Sequence, residues 1–117
     1  MPADPARLSA RSRKRIVDPA SELLLSVASV WEIAIKTGLG KLQLPVPVDE
    51  YVTSRLARQG VRSRAIEQAH ALRVALLPPH HRDPLGRMLV AQAQVENLPL
   101  LTSDRTLRAY DIEVILA

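Results

Sequence analysis

An α/β domain with a mostly parallel sheet is predicted by three observations. Short apolar runs bounded by turn residues recur along the chain, helical spacing fills the segments between them, and the length suits one domain. At 117 residues, with about 150 residues per domain as the guide, a second unit has no room.

The elements follow in order. Residues 5–17 carry Leu8, Ile16 and Val17 among Arg7, Arg11, Arg13, Lys14 and Arg15, the pattern of a short helix with a basic face. Asp18-Pro19 ends it, because a proline ring disfavours helical backbone at the residue before it. Residues 23–27 form a continuous apolar run, consistent with a strand buried on both faces. Ser26 or Ser29 then caps a helix to about Thr37. Ser29-x-x-Glu32 has the spacing of a capping box, and Gly38 and Gly40 stop the helix.

Residues 42–47 are a proline-punctuated connection. Residues 48–59 return to helical spacing, with Val48, Tyr51, Val52 and Leu56 on one face and Gly60 as the stop. Residues 61–66 alternate weakly and read as an edge strand. Residues 67–77 are helical and close at Pro78-Pro79. Asp83-Pro84 opens the next helix, an acidic cap before proline at the first helical position. That helix carries Leu85, Met88, Leu89 and Ala93 and ends near Asn97. A strand over 98–102, a short helix over 105–110 and a last strand over 112–116 complete the chain.

Composition excludes several classes. There is no cysteine, which removes a disulfide scaffold, a thiol nucleophile and a cysteine-ligated zinc site. No apolar run approaches the roughly 18 residues of a membrane span, and residues 1–15 are polar and basic, unlike a signal peptide. A cytoplasmic protein without membrane attachment is expected. Sixteen basic against 12 acidic residues give a net charge of +4. Thirteen of the cations are arginine, the residue suited to forked contacts with phosphate. This balance favours a nucleic-acid or acidic-protein partner. Aromatic residues are only Trp31, Tyr51 and Tyr110, so RNA would be gripped by its backbone rather than by stacked bases.

In an open parallel sheet, ligands gather beyond the carboxyl ends of the strands. Glu32 lies one turn into the helix after the 23–27 strand, and Asp104 directly follows the 98–102 strand. If these two share one cleft, they would make an all-oxygen site suited to Mg2+ or Mn2+, which activates water and neutralises charge during phosphodiester cleavage. Each also has a structural reading: Glu32 as the second half of a capping box, Asp104 as a helix cap, and Asp83 before Pro84 as another cap. His80 and His81 read as loop or phosphate-facing residues rather than zinc ligands.

Three stretches carry a resemblance. They are Leu25-Ser26-Val27-Ala28-Ser29-Val30-Trp31-Glu32-Ile33-Ala34-Ile35-Lys36 with Gly38-Leu39-Gly40-Lys41-Leu42, then His80-His81-Arg82-Asp83-Pro84-Leu85-Gly86-Arg87-Met88-Leu89-Val90-Ala91-Gln92-Ala93, and Leu98-Pro99-Leu100-Leu101-Thr102-Ser103-Asp104. In order and spacing the chain resembles the PIN domain of VapC-type toxins from bacterial toxin–antitoxin pairs, from about Asp4 onward.

The resemblance implies a three-layer α/β fold with a mostly parallel sheet and an acidic pocket that holds Mg2+ or Mn2+ and hydrolyses RNA, often tRNA. It also implies a homodimer silenced by a small antitoxin. Of the family's four acidic positions, Glu32 matches the second and Asp104 the fourth, as catalytic and metal-binding residues. Thr102 and Ser103 match accompanying hydroxyl residues that orient water. Arg87 would position water or phosphate, and His81 and Arg82 would contact RNA.

The third acidic position is Gly86 here, with Asp83 three residues earlier as a further candidate ligand. The strand bearing the first acid would precede Met1. The expectation is therefore a single PIN-like domain over 1–117, truncated at the amino end and lacking the first, central strand. Misplaced catalytic groups cost orders of magnitude in rate, so an endoribonuclease of weak or absent turnover is expected. The alternatives are a non-catalytic module binding antitoxin or RNA, and a fragment from a mis-assigned start.

Overall fold

The computed structural model describes residues 23–116; the basic helix expected over 5–17 lies outside them. The order is β1 (Leu24–Ser26), α1 (Val27–Gly38), α2 (Val48–Gln59), β2 (Arg62–Arg64), α3 (Gln68–Val74), α4 (Pro84–Glu96), β3 (Leu100–Thr102), a 3-10 helix (Arg105–Ala109) and β4 (Val114–Leu116). All described strand pairing is parallel. β1 pairs with β2, Leu25 opposite Ser63, and β3 pairs with β4, Leu101 opposite Ile115. This is the α/β pattern that alternating strands and helices imply.

The core sits where α3, α4, β3 and the 3-10 helix converge. Leu77, Val90, Ala91, Ala93, Leu100, Leu107 and Tyr110 form one buried cluster, flanked by Val74, Leu89 and Ile112. Val90, Ala91 and Ala93 fall within one turn of α4, and the face they share lines this cluster. On the β1 side, Leu25, Ala28, Ile33 and Val61 are buried. By contrast α2 buries no residue; Arg55 lies 5.0 Å over the ring of its own Tyr51. Gly60 ends it in left-handed backbone at φ 62°, a conformation that costs glycine little.

Of the two caps the sequence offers for this helix, the structure takes Ser26. Helix α1 starts at Val27, because Ser26 Oγ accepts the Ala28 N–H at 3.0 Å. Ser29 is thereby carried into the helix and buried, its Oγ without a hydrogen-bond partner among the described residues. The Ser29–Glu32 capping box does not form; Glu32 pairs with Lys36 one turn on, at 3.0 Å. A capping box does open α3, where Glu67 N–H donates to His70 Nδ1 at 2.9 Å.

His70 is completely buried. Because Nδ1 accepts, the ring proton is on Nε2, which donates to Glu96 Oε1 at 3.0 Å. The same oxygen receives the Arg64 guanidinium, and Arg64 also reaches Glu67 at 3.0 Å. The network ties the end of β2 and the start of α3 to the last turn of α4. The Arg64 hydrogen bond, helped by His70 and opposed by desolvation, holds the Glu96 carboxyl below its ordinary 4.5. A depressed carboxyl stabilises the fold above its unfolded pKa, and that contribution is lost as pH falls through the folded value. Thermal unfolding followed from pH 7 downward should therefore show a loss of stability beginning below about pH 4.5. In Glu96→Gln that portion of the acid dependence should flatten, and an unchanged profile would remove Glu96 as its source.

Arg87, on α4, has a structural task. Its guanidinium donates to the carbonyls of Pro78 at 2.9 Å, Val74 at 3.0 Å and Leu77 at 3.3 Å, and to the Tyr110 hydroxyl at 3.2 Å. These carbonyls lie at and just beyond the end of α3, the negative end of the helix, which favours a cation. Arg87→Ala should cost about 2 kcal/mol, since hydrogen bonds to charged groups are worth more than neutral ones. Lysine should recover only part of this, lacking the planar fork; urea unfolding of both variants measures it. Equal stability of Arg87→Ala and the parent would contradict this role.

Candidate active site

The loop before α4 and the loop after β3 meet at one point. Asp83 caps α4, its Oδ1 accepting the Leu85 N–H at 3.1 Å, with Pro84 next. Asp104 caps the 3-10 helix: its Oδ1 accepts the Thr106 N–H at 3.0 Å and the Thr106 hydroxyl at 2.6 Å. Thr102 Oγ1 accepts the Asp104 N–H at 3.1 Å, fixing the turn that aims this carboxylate. The Thr106 hydroxyl, then the Thr106 N–H and His81, hold the Asp104 carboxyl below its usual value against a desolvation cost. Both caps are the local solution for orphaned helix N–H groups, and both stand at their sequence-expected positions.

His81 joins the two loops. Its Nδ1 accepts the Asp83 N–H at 3.0 Å, and its Nε2 lies 2.9 Å from Asp104 Oδ2. Gly86, buried in the first turn of α4, faces the same ring. A Cβ built there would lie 3.6 Å from His81 Cε1, His81 Nδ1 and Asp83 Oδ2. Position 86, Asp83, His81 and Asp104 therefore belong to one cluster.

Several expected roles shift in consequence. His81 is turned inward, its side chain 19% exposed, and protein partners engage both ring nitrogens. Arg87 spends its fork on the end of α3 and on Tyr110. Arg82 and Ser103 are exposed. Thr102 directs Asp104 through its oxygen. His80 packs edge-on against Tyr110, with ring centroids 5.1 Å apart. The contacts of Arg87, and those of His81 and His70 with Asp104 and Glu96, have no signature in local spacing. Only Glu67-x-x-His70, with capping-box spacing, offered a hint.

Glu32 and Asp104 are engaged separately, the first with Lys36 and the second with Thr106 and His81. Among the described residues no three His, Asp or Glu side chains gather to hold a metal ion. A carboxylate offers about four acceptor positions, and three at Asp104 are taken by protein donors. The described residues thus do not, by themselves, fit a divalent cation.

The chain has a family. The PIN domain model matches residues 4–113, nearly the whole chain, and the protein belongs to the PIN-domain family. It is similar to Ribonuclease VapC16 of Mycobacterium tuberculosis, 42% identical over 59 residues. That stretch covers 50% of this chain and 42% of the relative, so the match spans under half of that protein's length. Among the described residues, no helix is long and apolar enough to cross a membrane.

Proposed function

We propose that this chain is the PIN domain of a VapC-type toxin, directed at RNA in the cytoplasm and held in check by a small antitoxin, with endoribonuclease turnover weak or absent. The observation that carries the reading is the 42% identity to a VapC ribonuclease, together with an acid, Asp104, immediately beyond the carboxyl end of a parallel strand. Glu32 and Asp104 are the candidate acids, Asp83 a further one, with Thr102 and Ser103 beside them for water. Mg2+ or Mn2+ would need oxygen ligands beyond the described residues beside these acids. Exposed Arg82, Arg105 and Arg108 flank the cluster in sequence and suit phosphate contacts. A homodimer and a tRNA substrate are the finer form of the proposal.

Gly86 in place of an acid favours the reading in which binding outlasts cleavage. The test is a pair of assays on the purified protein with a total tRNA pool. Gel-shift affinity should fall steeply with salt, as phosphate contacts require, and any Mn2+-dependent cleavage should vanish in Asp104→Asn, which keeps the cap. Salt-independent affinity, or no RNA binding at low salt, overturns the RNA reading. Vigorous cleavage that survives Asp104→Asn overturns the site.

A further inference from the structure

We propose that His81 is a resident occupant of the acidic centre, its ring N–H holding Asp104 in the place a divalent cation would take, and that Gly86 is the residue that admits it. The inference rests on the reading above only in treating Asp104 as part of that centre.

The donor pattern sets the ring's state. The Asp83 main-chain N–H donates to Nδ1, so the ring proton is on Nε2 and points at Asp104 Oδ2. Asp83 is itself anchored as the cap of α4, so the ring is aimed from rigid backbone. The opposite oxygen of Asp104 is held by two donors of Thr106. An incoming cation would find a carboxylate already bound on both oxygens and would have to displace a charge-assisted hydrogen bond, one of the stronger kinds.

The glycine explains why the ring can stand there. Its Cβ position is already in van der Waals contact with Cε1 and Nδ1 of the ring. An alanine fits. The γ atoms of any longer side chain lie about 1.5 Å further out and must either turn away or push the ring off Asp104.

Mn2+ titration followed by the electron-paramagnetic signal of the free ion tests this without any appeal to activity. The parent protein should bind Mn2+ weakly. His81→Ala should bind it about tenfold more tightly, the scale of one lost charge-assisted hydrogen bond. His81→Gln, which can still donate to Asp104, should stay near the parent. Equal affinity in the parent and His81→Ala overturns the proposal, as does tight binding by the parent. Should His81→Ala not fold, nitrogen NMR of the parent decides instead. The His81 ring should show the Nε2–H tautomer, undisturbed by Mg2+; a ring resonance that moves on adding Mg2+ overturns the proposal. Absent RNA binding with these results intact would sink the RNA reading and leave this inference standing.

Discussion

His70→Ala is expected to be the most destabilising single substitution in the described fold. The imidazole is completely buried and bridges the first turn of α3 to the last turn of α4. Its removal leaves a cavity, orphans the Glu67 N–H and strips one donor from Glu96. Cavity formation and unsatisfied buried groups together suggest a loss of about 3–4 kcal/mol, or roughly 10 °C or more in melting temperature for a domain of this size. Urea unfolding monitored through Trp31 measures it. Glutamine should do somewhat better, because it can reach one of the two partners but not both. A loss under about 1 kcal/mol would mean that the network contributes geometry rather than stability.

Gly86→Asp is expected to have the largest effect on chemistry. An aspartate there would project from a Cβ facing Asp83 Oδ2 and the His81 ring, adding a carboxylate beside Asp83 and Asp104. Three carboxylates are an oxygen-rich site of the kind Mg2+ and Mn2+ accept. In the first turn of α4 the new charge also meets the positive end of the helix, which offsets part of the crowding. The variant's melting temperature without metal should stay near the parent's. With Mn2+ it should rise in a concentration-dependent way, since a ligand that binds only the folded state stabilises it. If the cluster is the catalytic centre, RNA cleavage should rise by about a hundredfold, the penalty ordinarily attached to poorly placed groups. A melting temperature indifferent to Mn2+ would show that position 86 does not face a cation site.

Much of the fold is legible in the chain because its signals are local. Asp83-Pro84, Gly60 and the apolar runs around Leu25, Leu101 and Ile115 announce caps, stops and strands through rules acting within a few residues. Asp104 at a strand end is readable for the same reason. The start of α1 shows the limit: Ser26 and Ser29 are both competent caps by sequence, and only the folded chain shows Ser26 capping with Ser29 and Ala28 buried.

By itself, then, the order of residues determined the alternation of helices and strands, their parallel pairing and the family to which the chain belongs. Only the tertiary structure decided where His70, His81 and Arg87 spend their hydrogen bonds. Beside the local bonds to Glu67 and Asp83, those partners lie 9 to 26 positions away. No periodicity within an element encodes a contact made between elements, so the polar wiring emerges when the helices pack and their buried donors must find acceptors.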